Sequence, residues 1–223
     1  MTATRSAAPS SPGSVATTTA TTPEAAEAAP IQLPKTSESE QLLRIRHSMS
    51  HVMAMAVQKL FPKAQVTIGP WTENGFYYDF DNPDPFTEAD LKAIKKEMIK
   101  VINRKLPLER IEVSRAEAES RIQAQNEPYK LEILAGIQEP ISLYTLGDAW
   151  WDLCAGPHVA NTSELNAKAF ELESVAGAYW RGDENNTQLQ RIYGTAWETP
   201  EQDRKSTRLN SSHSSVSRMP SSA

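Results

Sequence analysis

The first strong pattern in the chain is a broad apolar band between residues 40 and 60. Apolar side chains recur there at helical spacing, namely at Leu42, Leu43, Ile45, Met49, Val52, Met53, Ala56 and Leu60. Ser37 and Glu40 precede the band with the spacing of a capping box, and Phe61-Pro62 follows it. The pattern predicts one long helix with a wide buried face, beginning close to Thr36.

Shorter patterns follow, without a repeat and without regular strand–helix alternation. Strand patterns occur at 65–68, 75–80, 108–113, 141–144, 169–174 and 189–193. Helices are predicted after Thr87 and after Ser114, each with an acidic residue three positions later, and a short helix is predicted at 127–134. Because helices come early and strands are scattered, we expect an α+β fold, a mostly antiparallel sheet packed with helices.

The two ends differ in composition from the body. Residues 1–35 are rich in Ala, Ser, Thr and Pro and show no hydrophobic period, which predicts a disordered N-terminal segment. Residues 203–223 are polar and aperiodic, so we predict a disordered tail that is foreign to the natural protein. A single folded domain is therefore expected at 36–202, which is long enough to bury a solid core.

Charge and cysteine content narrow the function classes. The net charge is −5 and the 203–223 segment is basic, so the body is acidic, which argues against a general nucleic-acid binder. The single Cys154 excludes an intramolecular disulfide and favours a reducing, cytoplasmic setting. An organelle transit peptide is the alternative, since residues 1–23 are rich in Ala, Ser and Thr and lack acidic residues, although such peptides are Arg-rich and this segment has only Arg5. No apolar run is long enough to span a bilayer, so we expect no membrane partner.

The candidate chemistry lies in two residue pairs with the same spacing. His47 and His51 are four residues apart on the first predicted helix and therefore share one face. Cys154 and His158 have the same separation in a loop, since Pro157 excludes an ordinary helix interior. Together the pairs form a Cys/His₃ set. Such a set is either a closed zinc site or a cluster of acid and base groups around a reacting centre, and the residues alone leave both readings open.

Two charged residues are further candidates. Asp152 precedes Cys154 by two positions, where it either orients a histidine or a substrate hydroxyl, or accepts backbone N–H groups of the loop. Lys130 either neutralises a phosphate or a developing oxyanion, or is an ordinary solvated lysine. Spacing does not decide between these roles.

Several motifs occur in order along the chain: His47-x-x-x-His51, Ile68-Gly69-Pro70, Asn74-Gly-Phe-Tyr-Tyr-Asp79, Asp152-x-Cys-x-Gly-Pro-His-Val159, Ala176-Gly-Ala-Tyr-Trp-Arg-Gly-Asp183 and Leu189-Gln-Arg-Ile-Tyr-Gly-Thr-Ala-Trp197. In this order they resemble the editing region of bacterial threonyl-tRNA synthetases, a domain shared in part with alanyl-tRNA synthetases. The resemblance runs from about Leu42 to Gln202, and its last two blocks are typical of the threonyl branch.

The resemblance implies a C-terminally truncated fragment of a threonine–tRNA ligase, a class II enzyme, whose editing domain hydrolyses mischarged seryl-tRNA(Thr). Serine lacks one methyl group of threonine, which provides only about 1–3 kcal/mol of discrimination, so a second site is needed. By the resemblance, six residues form the catalytic site: His47, His51, Lys130, Asp152, Cys154 and His158. Tyr77 and Tyr78 are expected to lie against the terminal adenosine, and the acceptor end of tRNA(Thr) is the expected partner.

The resemblance also bears on cofactors. The threonyl branch is taken to edit without metal, whereas the alanyl branch holds zinc at the residues that correspond to His47, His51, Cys154 and His158, and we favour the metal-free form. ATP, Mg and a further zinc ion belong to the ligase domain that this chain lacks, as does the homodimer interface. Two alternatives stay open: a free-standing, zinc-dependent hydrolase of the alanyl type, and a non-catalytic, zinc-stapled RNA-binding module.

Overall fold

A computed structural model describes residues 33–216, with side chains as far as Leu209. It contains five α-helices: α1 (Glu40–Leu60), α2 (Glu88–Asn103), α3 (Arg115–Ala124), α4 (Pro128–Ala135) and α5 (Pro200–Val216). It contains seven strands: β1 (Gln65–Val66), β2 (Phe76–Asp81), β3 (Leu108–Val113), β4 (Ile141–Leu146), β5 (Trp150–Leu153), β6 (Phe170–Tyr179) and β7 (Gln188–Ala196). The disorder predicted for 1–35 falls, apart from its last three residues, outside the described part of the chain. None of the described helices is both long and apolar enough to cross a bilayer.

The strands form two antiparallel sheets. The larger sheet has the strand order β1-β2-β7-β6, and the smaller one has the order β3-β4-β5. In the larger sheet Phe76 lies opposite Gly194 and Tyr78 lies opposite Ile192. The expected α+β class with antiparallel pairing is therefore confirmed. The strand β5 was not predicted, although it carries Asp152 and leads directly into the Cys154 loop.

The helix α1 lies in the centre of the main core. Its residues Val52 and Met53 are fully buried and belong to one apolar cluster with Phe76 and Phe80 of β2. The helix begins two residues later than the predicted Ser37 cap implies, because residues Thr36–Glu38 form a 3₁₀ turn. Ser39 is the N-cap, and its side chain accepts a hydrogen bond from the Leu42 N–H at 3.1 Å.

Arg46, on α1, is the largest of the fully buried side chains. Its guanidinium donates to the carbonyls of Ala196 and Glu73 at 3.2 and 2.8 Å and to the Thr36 hydroxyl at 2.6 Å. The guanidinium also lies 4.7 Å from the centroid of the Trp197 ring. Arg46 therefore ties the start of the domain to the end of β7.

The helix α5 corrects the prediction of a disordered tail from residue 203, because it extends to Val216. Pro200 occupies its first turn, and Thr199 and Gln202 cap it reciprocally through two hydrogen bonds of 3.0 and 3.3 Å. Asp203 and Ser206 are buried, at 8% and 7% exposure. The helix continues through the serine-rich sequence that follows, despite its weak helix preference. Residues 217–223 lie outside the described part of the chain, and the foreign origin of the tail stays a prediction.

Candidate functional site

The two predicted pairs meet in space. The helix α1 presents His47 and His51, and the loop after β5 presents Cys154 and His158. One ligand atom from each of the four side chains lies within 4.8 Å of all the others. The rings of His47 and His158 are stacked with their centroids 4.1 Å apart, and those of His51 and His158 are 4.3 Å apart. Residues more than 100 positions apart along the chain thus form one cluster.

The Cys154 loop is shaped by a glycine. Gly156 has a φ of 80°, and a Cβ at this position would lie 2.5 Å from the Tyr144 hydroxyl oxygen. Both observations favour glycine, which adopts left-handed backbone without strain. The turn directs the Pro157 carbonyl toward α1, where it lies 3.1 Å from His47 Nδ1. Because a carbonyl only accepts, His47 Nδ1–H is the donor, and the neutral ring keeps its free lone pair on Nε2.

A buried ionic group lies beside the cluster. Lys130 on α4 forms an ion pair with Asp152 on β5, with side-chain exposures of 5% and 3%. Tyr78 donates its hydroxyl hydrogen to Asp152 Oδ2 at 2.7 Å, and the Lys130 ammonium donates to the Tyr78 hydroxyl oxygen at 3.0 Å. His51 Nε2 lies 3.5 Å from Asp152 Oδ2. Asp152 therefore connects the Lys130 cation with the histidine cluster.

Burial sets the charge of the cluster. Removal from water lowers the pKa of His47 and, together with the neighbouring rings, strongly lowers the pKa values of His51 and His158. Burial also raises the pKa of the Cys154 thiol to about 12, with a further increase from the Asp152 charge. Near neutral pH the cluster is therefore three neutral imidazoles and a protonated thiol, beside one ion pair.

A cleft of about 290 Å³ opens onto these groups. Its polar wall contains His47, His51, Lys130, Asp152 and Cys154. Its other walls are the loop Thr67–Pro70 and the side chains Ile133 and Leu153. The volume is at the lower end of the range for small-molecule sites, and a few convergent polar groups among apolar walls are typical of them.

The two tyrosines have different positions. Tyr78 is fully buried, so it presents no surface to an adenine, and the expectation that it contacts the nucleotide is wrong for this structure. Its ring packs so closely on Gly69 that a Cβ there would lie 2.0 Å from Tyr78 Cδ2. Tyr77 is half-buried, and Arg191 lies 3.9 Å from its ring centroid. Adjacent strand residues point to opposite faces, so Tyr77 faces away from the cluster, and its role stays a prediction.

The four cluster residues also fit a metal. A thiol and three imidazoles are the ligands that Zn²⁺ prefers, and their ligand atoms are close enough to converge on one ion. The hydrogen bond from His47 Nδ1 to the Pro157 carbonyl is of the kind that orients a zinc-bound histidine. His47, His51, Cys154 and His158 would hold the ion, which would act as a Lewis acid or lower the pKa of a bound water.

One residue of the site was missed by the sequence analysis. Ser48, which follows His47 on α1, is fully buried, and its Oγ lies 3.1 Å from His158 Nδ1. Nothing local in the sequence marks a serine beside a histidine as a partner of another histidine 110 positions away. Only the meeting of α1 with the loop shows this contact.

Comparison with known families identifies the kind of domain. Residues 141–193 match the family described as the "Threonyl and Alanyl tRNA synthetase second additional domain". This segment includes Asp152, Cys154 and His158 of the cluster. This part of the chain is therefore similar to the additional domain that these two classes of synthetase share.

Curated relatives of this chain are threonine–tRNA ligases, the threonyl branch of these synthetases. The chain is 80% identical over 188 residues to the threonine–tRNA ligase of Parasynechococcus marenigrum (strain WH8102), an alignment covering 84% of this chain and 30% of that protein. It is 82% identical over 188 residues to the threonine–tRNA ligase of Synechococcus sp. (strain CC9311), with the same coverage. For the enzyme of Thermosynechococcus vestitus the identity is 74% over 180 residues, or 81% of this chain and 30% of that protein. Over most of its length the chain is similar to these threonine–tRNA ligases, and it spans about 30% of the length of these relatives.

Proposed function

We propose that the cleft is an editing site that hydrolyses the ester of mischarged seryl-tRNA(Thr), as part of a threonine–tRNA ligase. The observation that supports this most strongly is the meeting of the His47/His51 and Cys154/His158 pairs beside the buried Lys130–Asp152 ion pair, with all of these residues except His158 lining one cleft. Ester hydrolysis needs a group that activates water and a group that stabilises negative charge. The cleft offers both within one small volume.

His47 is the proposed group that activates or positions the attacking water. Its Nδ1–H donates to the Pro157 carbonyl, so Nε2 is the nitrogen with a free lone pair. Burial lowers the pKa of His47, which keeps the ring in the neutral form that accepts a proton. His47 also lines the cleft, so its ring lies at the wall that a small ligand would contact.

Lys130 is the proposed partner of the negative charge that develops on the carbonyl oxygen and on the leaving ribose oxygen. A fixed cation that is shielded from water acts strongly on such charge. Asp152, His51, Cys154 and His158 are proposed to hold the serine amino and hydroxyl groups and to shape the pocket. In a cleft of about 290 Å³, the additional methyl of threonine would crowd the water and spare the correct product.

The test is the release of serine from seryl-tRNA(Thr) by the full chain. We expect His47→Ala to reduce the rate by about 100-fold or more, the usual contribution of an acid–base group. Arg110→Ala is the control, because Arg110 lies on β3 in an exposed ion pair with Glu112. An unchanged rate in the His47 variant would remove that assignment. No serine release by the unaltered chain would remove the proposal.

A zinc-dependent hydrolase of the alanyl type is the second candidate, and the Cys/His₃ donor set supports it. Two measurements distinguish this candidate from the metal-free editing site: metal analysis of the purified chain, and assays of serine release after chelation. Under our proposal hydrolysis persists after chelation. Stoichiometric zinc with activity that is lost to a chelator and restored by zinc would favour the second candidate. Metal-dependent folding without hydrolysis would favour the non-catalytic RNA-binding module instead.

The proposed partner is the acceptor end of tRNA(Thr), delivered by the remainder of the ligase. ATP-dependent aminoacylation, its metal ions and dimerisation are assigned to regions of the relatives that this chain does not span. The cytoplasmic setting is part of the same proposal, since an editing site acts where tRNA is charged.

A further inference from the structure

A fully buried hydroxyl connects the two halves of the cluster. Ser48 Oγ lies 3.1 Å from His158 Nδ1 and accepts a hydrogen bond from the Val159 N–H at 3.1 Å. We propose that Ser48 is a positioning residue for His47. It acts through a series of hydrogen bonds that runs from Ser48 through His158 and Cys154 to His47, and it fixes which partner donates in each of them. The hydrogen-bond geometry alone supports this order, and only its link to catalysis rests on the proposed function.

At both ends of this series of hydrogen bonds, the backbone group determines which partner donates. At one end the Val159 backbone N–H can only donate, so it uses a lone pair of Ser48 Oγ. At the other end the Pro157 carbonyl can only accept, so His47 carries its proton on Nδ1. In a neutral imidazole this leaves His47 Nε2 as an acceptor.

The thiol of Cys154 lies between the two remaining nitrogens. Its Sγ is 3.5 Å from His47 Nε2 and 3.3 Å from His158 Nε2, and it also accepts from the Gly156 N–H at 3.2 Å. A thiol has a single proton. Since His47 Nε2 can only accept, the S–H points to it, and the contact with His158 must then be an N–H donating to sulfur.

The direction at Ser48 follows. With its proton on Nε2, His158 has a bare Nδ1, and the Ser48 hydroxyl donates to it. In this order every donor has an acceptor and every acceptor a donor. The series runs from the Val159 N–H through Ser48, His158, Cys154 and His47 to the Pro157 carbonyl. With the reverse tautomer of His158, Ser48 Oγ would accept from both His158 and Val159, its own proton would have no acceptor among these contacts, and His47 Nε2 would have no donor among them.

This order matters for the proposed hydrolysis. The thiol proton occupies the lone pair of His47 Nε2, the nitrogen assigned to the attacking water, and so holds that position until a water O–H replaces it. Without the Ser48 donor, His158 can move its proton to Nδ1, and the thiol can turn from His47 to His158. Ser48 therefore influences His47 without contacting its ring.

The test is nitrogen NMR of the histidine rings in the full, ¹⁵N-labelled chain after chelator treatment, near neutral pH. Protonated and bare ring nitrogens are distinguished directly in such spectra. We expect His158 to be protonated on Nε2 and His47 on Nδ1. In Ser48→Ala the ratio of the Nε2–H to the Nδ1–H form of His158 should fall about five-fold, the factor that one net hydrogen bond supports. The His47 Nε2 resonance should move as well.

Ser48→Thr, which keeps a hydroxyl, should restore the ratio. Ser50→Ala is the matched control, because Ser50 is equally buried on the same helix and its hydroxyl bonds only to the carbonyls of His47 and Gly69. It should leave the His158 ratio unchanged. A native His158 that carries its proton on Nδ1, through the reverse order or through a metal at Nε2, would overturn the inference. So would a ratio unaffected by Ser48→Ala. These spectra need no turnover, so they are independent of whether serine is released.

Discussion

Lys130 and Asp152 form an ion pair from which water is almost entirely excluded, and the Tyr78 hydroxyl is hydrogen-bonded to both partners. A buried pair of this kind gains little net free energy, because both ions lose their hydration. Removing one partner is much more costly than removing both, since an uncompensated charge stays inside the protein.

Asp152→Asn should therefore lower the free energy of unfolding by about 3–5 kcal/mol. Adding Lys130→Met to that variant should recover a large part of the loss, because the isolated ammonium is removed as well. Urea unfolding of the two single variants and the double variant measures the coupling. If the double variant lost as much unfolding free energy as the two single variants together, the ion pair would have no coupling energy, which would contradict the pairing.

Arg46→Met should lower the free energy of unfolding by about 2–5 kcal/mol. The substitution removes the guanidinium donor from the carbonyls of Ala196 and Glu73 and removes the contact with Trp197. Arg110→Met, at an exposed position on β3, should change stability by less than about 0.5 kcal/mol. If both variants lost a comparable amount of unfolding free energy, the buried guanidinium contacts of Arg46 would contribute no more to stability than the exposed ion pair of Arg110.

Glu127 should make stability depend on pH. Burial raises its pKa to about 7 from 4.5, so the folded state binds this proton more tightly than the unfolded state. Its contribution to stability is therefore full at low pH and is lost as the pH rises through about 7. Glu127→Gln stays neutral, so it should reduce the loss of stability between about pH 5 and about pH 8 by about 1–3 kcal/mol.

The measurement for Glu127 is urea unfolding of the native chain and the Gln variant at both pH values. Val66 N–H, which the carboxylate accepts at 3.0 Å, keeps a carbonyl acceptor in the variant. The other donor, Gln58 Nε2, meets the new amide group, and because that effect is the same at both pH values, the difference between the two pH values isolates the charge. Identical pH dependence in the two proteins would assign the effect to other groups.

Gly69→Ala should destabilise the domain by about 1–3 kcal/mol or more, because the new methyl would lie 2.0 Å from the buried Tyr78 ring. Gly136→Ala is the matched control. Its backbone φ is −92° and the nearest atom to a Cβ there is 3.6 Å away. Thermal unfolding should show a lower Tm for the first variant and a nearly unchanged Tm for the second. Equal Tm values would mean that the Tyr78 ring shifts freely.

Thr199→Ala should weaken α5 by about 1 kcal/mol through the loss of its capping side chain. Amide hydrogen exchange in the first turns of α5 should increase, whereas Thr199→Ser should keep the native protection. Rapid exchange over the whole of α5 in the unaltered chain would contradict this helix.

The sequence contains the signals for most elements that position the site. The spacing of His47 and His51 predicts a shared helix face, and Thr87 caps α2 as its pairing with Asp90 predicts. The alternation Phe76, Tyr78, Phe80 predicts which side chains of β2 point into the core, and it could have shown that Tyr78 is buried. Local periodicity is sufficient for such features because neighbouring residues determine them.

Contacts between segments that are distant along the chain could not be predicted from the sequence. The Ser48–His158 contact and the buried state of Lys130 depend on how α1, α4 and β5 pack, which no local pattern specifies. The helix α5 was missed for a different reason. Its serine-rich composition led to the prediction of disorder, and the Thr199–Gln202 capping signal was overlooked.

The helix α1 carries His47, Ser48 and His51 toward the cleft, while Met49, Val52 and Met53 on the same helix fill the core. Evolution or engineering thus has little freedom to retune substrate choice from this side, since rotating or shifting the helix would disturb the packing of the entire domain. The loop Thr67–Pro70 and the side chains Ile133 and Leu153 are the adjustable walls. Libraries that aim at a different acyl group should diversify those positions and leave the helix intact.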